Sequence, residues 1–192
     1  MIPTFYALGT FVVVVALYVV LRKPVRDFFA MRGDRVVTCP DNGATVAVRV
    51  DAAHAALSAT GTADRLRLES CTRWPEKAGC GQDCLTQIAE QPTDCLVKTQ
   101  VTRWYTDKTC VLCGKALGMV DWTQHRPVVR TPDGRTVQWS DIKPETLPVV
   151  LATHTAVCWD CHVAETFRRQ RPDLVIDNPP VGMSRPSGRV GR

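Results

Sequence analysis

Two Cys-x-x-Cys pairs in the second half of the chain restrict its fold more than any other feature. Cys110 pairs with Cys113 and Cys158 with Cys161, and 44 residues lie between the pairs. Two thiolates at this spacing bind one side of a metal ion, and two such pairs supply the four ligands of a tetrahedral zinc site. The segment between the pairs must then fold so that they meet.

The surroundings of the pairs, over residues 108–170, resemble treble-clef and zinc-ribbon domains. Cys113 is followed by Gly114, as in a zinc knuckle, and Cys161 leads into a sequence typical of a helix. A helix N-terminus favours thiolate. The resemblance implies that one Zn²⁺ is bound by Cys110, Cys113, Cys158 and Cys161. Four protein ligands leave no open position, so this zinc would be structural rather than catalytic.

The second pair also fits a different cofactor. The run from Cys158 through Cys161 to His162 resembles the haem attachment pattern of c-type cytochromes. That resemblance implies thioether bonds at both cysteines and His162 as an iron ligand, in a membrane-tethered monohaem protein of electron transfer. A further alternative is a thiol–disulfide oxidoreductase, which needs an exposed thiol of low pKa in one of the pairs.

The N-terminal 21 residues carry no charged side chain. As a helix they span about 31 Å, close to the hydrocarbon thickness of a bilayer, so the sequence predicts a single transmembrane anchor. Five basic residues follow closely: Arg22, Lys23, Arg26, Arg32 and Arg35. The positive-inside rule then predicts a single-pass protein of the inner membrane with its remaining residues on the cytoplasmic side. The periplasmic side is the alternative, and it is the one that haem attachment requires.

Hydrophobic periodicity and turn residues predict an α+β fold in the rest of the chain. Strands are expected at 35–39, 45–50, 65–69 and 135–139, and helices at 52–59, 84–91, 95–105 and 163–170, the first of them capped by Asp51. The predicted fold is a transmembrane helix followed by a small Cys-rich domain with short β-hairpins, an αα-hairpin and a zinc-knuckle C-terminal half. The predicted regions are an anchor (1–21), a basic juxtamembrane linker (22–34), a Cys-containing α+β region (35–107), a zinc-ribbon-like region (108–176) and a disordered basic tail (177–192).

The other five of the nine cysteines lie between residues 39 and 95. We consider a second metal site formed by Cys39, Cys71, Cys80 and Cys84, with Cys95 free or substituting for one of them. The alternatives are packing in the core, where free cysteine is often found, and disulfides such as Cys71–Cys95 or Cys80–Cys84 in an oxidising compartment.

Several functional classes lack support in the sequence. It contains no phosphate loop, nucleophile elbow or dinucleotide fingerprint, so we assign neither catalytic residues nor a small-molecule substrate. The net charge of +5 is small, and no basic stripe with interleaved aromatics indicates nucleic acid. The sequence therefore favours a membrane-anchored structural-zinc protein, an interaction or accessory module that assembles with other subunits of a membrane complex.

Overall fold

The computed structural model describes residues 2–58, 66–123 and 126–174. The predicted tail at 177–192 lies outside them. Helices and two small antiparallel sheets alternate along the described chain. The helices are α1 Ile2–Met31, α2 Ala52–Leu57, α3 Leu85–Glu90, α4 Val97–Tyr105, α5 Leu147–Thr153 and α6 Trp159–Gln170. The strands are β1 Asp34–Thr38, β2 Thr45–Val50, β3 Leu68–Cys71, β4 Val128–Arg130, β5 Thr136–Gln138 and β6 Thr155–Val157.

The predicted transmembrane anchor is wrong for the part of the chain that the structure describes. None of the helices there combines the length and the apolar character needed to cross a bilayer. The predicted anchor lies in α1. The same helix continues through Arg22 and Lys23 to Met31, so residues 22–31 are helical.

The first sheet has the order β1–β2–β3, and both pairings are antiparallel. The predicted hairpin at 35–50 is confirmed, with Val36 opposite Ala47. The third strand begins at Leu68, later than predicted, after an irregularity in β2 between Arg49 and Val50. Buried side chains from β1, β2, α2 and α3 form one core with the end of α1, where Met31 is buried.

Arg35 joins the end of α1 to the first sheet. Its side chain is fully buried. Nη1 donates to the carbonyls of Met31 at 2.6 Å and Gly33 at 3.2 Å, and Nη2 donates to that of Ala30 at 2.8 Å. These carbonyls lie at or just after the C-terminus of α1, where a helix leaves acceptors without partners and a cation is favoured. Burial lowers the pKa of Arg35.

The second sheet has the order β5–β4–β6, with β4 in the centre. The turn between β4 and β5 closes through hydrogen bonds between Thr131 and Arg135, and Gly134 takes a positive φ of 85° there. Tyr105 and Trp139 pack with Val129 and Leu147 in a second core between α4, α5 and this sheet. This core includes Val129 of β4 and Ala156 of β6, and β6 leads directly into the second Cys-x-x-Cys pair.

Candidate metal centre

The first Cys-x-x-Cys pair forms a tight backbone turn, the first knuckle. The N–H of Cys110 donates to the carbonyl of Lys115, and the N–H of Gly114 donates to that of Cys110, both at 2.8 Å. Gly114 has φ +73°, a conformation that glycine adopts without steric cost. Thr109 and Ala116 close the turn as an isolated bridge. The backbone at this Cys-x-x-Cys-Gly sequence is therefore the tight turn that the sequence predicts.

The second pair, or second knuckle, lies at the start of α6. Cys158 is the N-cap residue of this helix, and its Sγ accepts from the N–H of Cys161 at 3.5 Å. A sulfur here receives the backbone donors and the positive dipole end of the helix, both of which favour thiolate. The predicted helix at 163–170 is confirmed and begins earlier, at Trp159.

The fold brings the two knuckles together, as predicted. The sulfurs of Cys110, Cys113, Cys158 and Cys161 all lie within 4.8 Å of one another and can hold a metal ion. The Sγ atoms of Cys113 and Cys158 are 3.7 Å apart. A regular ZnS₄ tetrahedron with Zn–S bonds of about 2.3 Å has S–S edges of about 3.8 Å. This geometry is consistent with a Cys-rich zinc-binding domain. We call these four residues the knuckle cluster.

Contacts outside the four sulfurs fix the two knuckles to each other. The N–H of Val111 donates to the carbonyl of Ala156 in β6 at 3.1 Å, so the first knuckle is attached to the strand that precedes the second. Lys115 and Asp160 form an exposed ion pair at 3.7 Å. The sequence gives no signal for these contacts, because each depends on how β6 pairs with β4.

Three thiols of the knuckle cluster have shifted pKa values, and the shifts differ in direction. Burial raises the pKa of Cys110, but backbone hydrogen bonds from Cys158, Leu112 and Cys113 outweigh it and lower that pKa to about 6. Burial and the neighbouring sulfurs raise the pKa of Cys161, and burial raises that of Cys158. One thiolate thus discourages ionisation of its neighbours. The positive charge of a bound dication would offset that repulsion and allow the ligands to be deprotonated together.

His162 lies next to the knuckle cluster and packs inward. It is buried, and its Nδ1 is hydrogen-bonded to the Thr136 hydroxyl at 2.8 Å. Burial lowers the pKa of His162. The imidazole therefore attaches α6 to β5. The sulfurs of Cys158 and Cys161 face those of the first knuckle, an arrangement that suits one ion better than a porphyrin.

The cysteines of the possible second site are brought to one place but are not assembled for a single ion. Cys39, Cys71, Cys80 and Cys84 all line one cavity of about 270 Å³. Among the residues that the structure describes, only the knuckle cluster has its ligand atoms close enough to hold one ion.

Two thiols of this cavity have shifted pKa values. A hydrogen bond from Arg73 lowers the pKa of Cys39. Burial raises the pKa of Cys84 to about 11, with smaller contributions from Cys71, Cys80 and Cys39. All nine cysteines lie within the described residues, and none forms a disulfide there. The cavity therefore holds one thiol prone to ionise and one that resists it.

Comparison with known proteins adds no assignment. No family model, no curated protein and no solved structure matches this chain. The interpretation of the knuckle cluster therefore rests on its own geometry.

Proposed function

We propose that this protein is a structural-zinc module that presents a folded surface to a protein partner. The observation that carries the proposal is the convergence of four sulfurs within 4.8 Å of one another. Four thiolates fill the coordination sphere of Zn²⁺, so the ion is expected to hold the fold together rather than to bind substrate. A compartment in which thiols stay reduced is part of the proposal, because oxidised cysteines cannot bind the metal.

A comparison of two cysteine variants tests the zinc half of the proposal. Cys113 is exposed, so Cys113→Ala removes a ligand while removing little packing. We expect purified wild-type protein to contain zinc at the knuckle cluster and Cys113→Ala to lose it, with a large fall in thermal stability. Structural zinc contributes about 10–16 kcal/mol in small domains, comparable to the whole stability of a typical protein.

Cys95→Ala is the matched control, because Cys95 lies outside both cysteine groups. It should retain zinc and most of the stability. A Cys113→Ala protein that keeps full zinc content and the wild-type melting temperature would exclude zinc at the knuckle cluster. Covalently retained haem with a Soret band would instead support a c-type cytochrome.

Exposed apolar side chains at the tip of the first knuckle support the part of the proposal that concerns a protein partner. Val111 is 50% exposed and Leu112 is 37% exposed, although both are apolar. The bond from Val111 to β6 holds this tip in place, and a zinc ion bound by Cys110 and Cys113 would fix it further. These two adjacent side chains are where we propose that the partner binds.

A photo-crosslinking amino acid in place of Leu112 tests the contact with the partner in the cell that produces the protein. We expect one discrete crosslinked product at this position, and its loss when Cys113→Ala is added. The same residue placed at Leu57, which is 82% exposed on α2, is the control and should give no such product. Equal crosslinking at both positions would contradict a specific surface at the knuckle tip.

A further inference from the structure

A second group of four cysteines lines one cavity in the N-terminal half of the described chain. Cys39, Cys71, Cys80 and Cys84 come from four separate places in the sequence, and all border the cavity of about 270 Å³. The knuckle cluster does not use any of them. Four thiols around one space are the ligand set for a soft metal centre.

The first sheet and α3 bring these cysteines together. Cys39 follows β1, and its backbone is fixed by two hydrogen bonds of 2.8 Å, to Ala44 and from Gly43. Cys71 is the last residue of β3, opposite Val48 of β2. Cys84 immediately precedes α3 and is buried. Three of the four positions therefore lie beside regular elements, as a preorganised site requires.

The fourth cysteine differs, because Cys80 is exposed in the loop between β3 and α3. The side chain of Gln82 anchors this loop, since its Oε1 accepts from the N–H of Leu68 at 2.9 Å. Gln82 takes a positive φ of 58°. A non-glycine residue in that region is uncommon, and Gln82 lies between Cys80 and Cys84.

Polar groups at the cavity suit an anionic sulfur. Arg73 lines the cavity, and its Nη1 lies 3.0 Å from Sγ of Cys39 and 3.0 Å from a carboxylate oxygen of Asp41. Trp74 also lines the cavity, and its buried indole N–H has no hydrogen-bond partner in the described structure. A metal-bound thiolate normally accepts hydrogen bonds from such outer groups.

From this arrangement we propose that Cys39, Cys71, Cys80 and Cys84 bind a thiophilic metal centre, separate from the zinc of the knuckle cluster. The ligand chemistry is four thiolates. Two occupants share it: a single zinc ion, which requires the loop carrying Cys80 to close over the cavity, and an iron–sulfur cluster, which sets of four cysteines also hold. The four sulfurs are not close enough for one ion as they stand, and the cavity leaves room for a cluster.

Metal analysis of the full chain, purified without oxygen, tests the proposal. We expect two metal centres per chain: either two zinc ions, or one zinc with iron and acid-labile sulfide and visible charge-transfer absorption. Cys80→Ala should lose one centre and keep the zinc of the knuckle cluster. Because Cys80 is exposed, this change removes little packing, unlike a change at buried Cys84. Cys95→Ala is again the control and should keep both centres.

The result distinguishes this proposal from the zinc module described above. Loss of one centre in Cys80→Ala and of the other in Cys113→Ala supports both. A single centre that only Cys80→Ala removes supports the present proposal and overturns the other. A wild-type chain with one zinc that Cys80→Ala leaves in place overturns the present proposal, as does a disulfide within this group in protein purified without oxygen.

Discussion

Replacing Tyr105 with phenylalanine removes one oxygen from the core that supports the knuckle cluster. Tyr105 is 2% exposed. Its hydroxyl donates to the carbonyl of Val128 in β4 and accepts from Nε1 of Trp139 at 3.2 Å. Phenylalanine keeps the ring and its edge-to-face contact with Trp104, whose centroid lies 5.0 Å away. The change therefore isolates the two hydrogen bonds from packing.

The expected loss of stability follows from the hydrogen-bonding groups that the substitution leaves without a partner. A neutral hydrogen bond contributes about 0.5–1.5 kcal/mol net, and a buried donor left unsatisfied costs about 1–3 kcal/mol. Trp139 is 7% exposed, so water does not readily replace the hydroxyl as acceptor for its N–H. We expect Tyr105→Phe to lower the free energy of unfolding by about 2–4 kcal/mol. Since Tyr105 does not belong to the knuckle cluster, zinc content should not change.

Urea unfolding of zinc-loaded protein, followed by tryptophan fluorescence, measures the effect. The midpoint should fall while the slope stays constant, because the surface exposed on unfolding is unchanged. A double-mutant cycle with Trp139→Phe should give a coupling of about 0.5–3 kcal/mol between the two side chains. A loss below about 0.5 kcal/mol with no coupling would refute the reasoning, because it would mean that the hydroxyl is not the acceptor of a buried donor.

Two further predictions concern the N-terminal half. The backbone N–H of His54 donates to Asp51 and lowers its pKa, so the folded chain binds this proton less readily than the unfolded one. Asp51→Ala should lower the free energy of unfolding by about 1 kcal/mol at neutral pH. When urea midpoints are measured against pH, the difference in midpoint between the variant and the wild type should shrink as pH falls below about 4. A difference that stays constant with pH would exclude a contribution from the carboxylate charge. Arg35→Met should destabilise the chain by about 2–4 kcal/mol, because charge-assisted bonds to the end of α1 are lost and only partly offset by relief of a buried cation. Amide exchange should then quicken in the last turn of α1, and unchanged protection there would contradict this capping role.

The knuckle cluster could be predicted because its signals are local. Gly114 follows one pair and a helix begins at the other. Both features specify a backbone conformation that depends little on the rest of the chain. Asp51 as the N-cap of α2 is a local signal of the same kind, and the structure confirms it.

Features that depend on tertiary pairing were not predicted. β6 has only three residues and is a strand because it pairs with β4, and α5 begins at an apolar Leu-Pro sequence without a clear period. The bond between His162 and Thr136 joins residues 26 apart, so nothing near His162 in the sequence indicates it. The positions of Cys39 and Cys80 depend likewise on sheet pairing and on a loop. The sequence therefore suggested this second group of cysteines but not how far apart their sulfurs lie.

The anchor prediction failed for a different reason. It rested on the absence of charged side chains over residues 1–21. α1 continues into its own basic segment and then into the first core through Phe28 and Met31.

The separation of the two knuckles along the chain has a consequence for synthesis. Cys113 and Cys158 are 45 positions apart. At about 5–20 residues per second, a ribosome needs about 2–9 seconds to reach Cys158 after Cys113. During this interval the nascent chain carries an open dithiol that oxidants and competing soft ions can reach. For the proposed zinc site, the order of translation thus makes correct metallation depend on timing as well as on affinity.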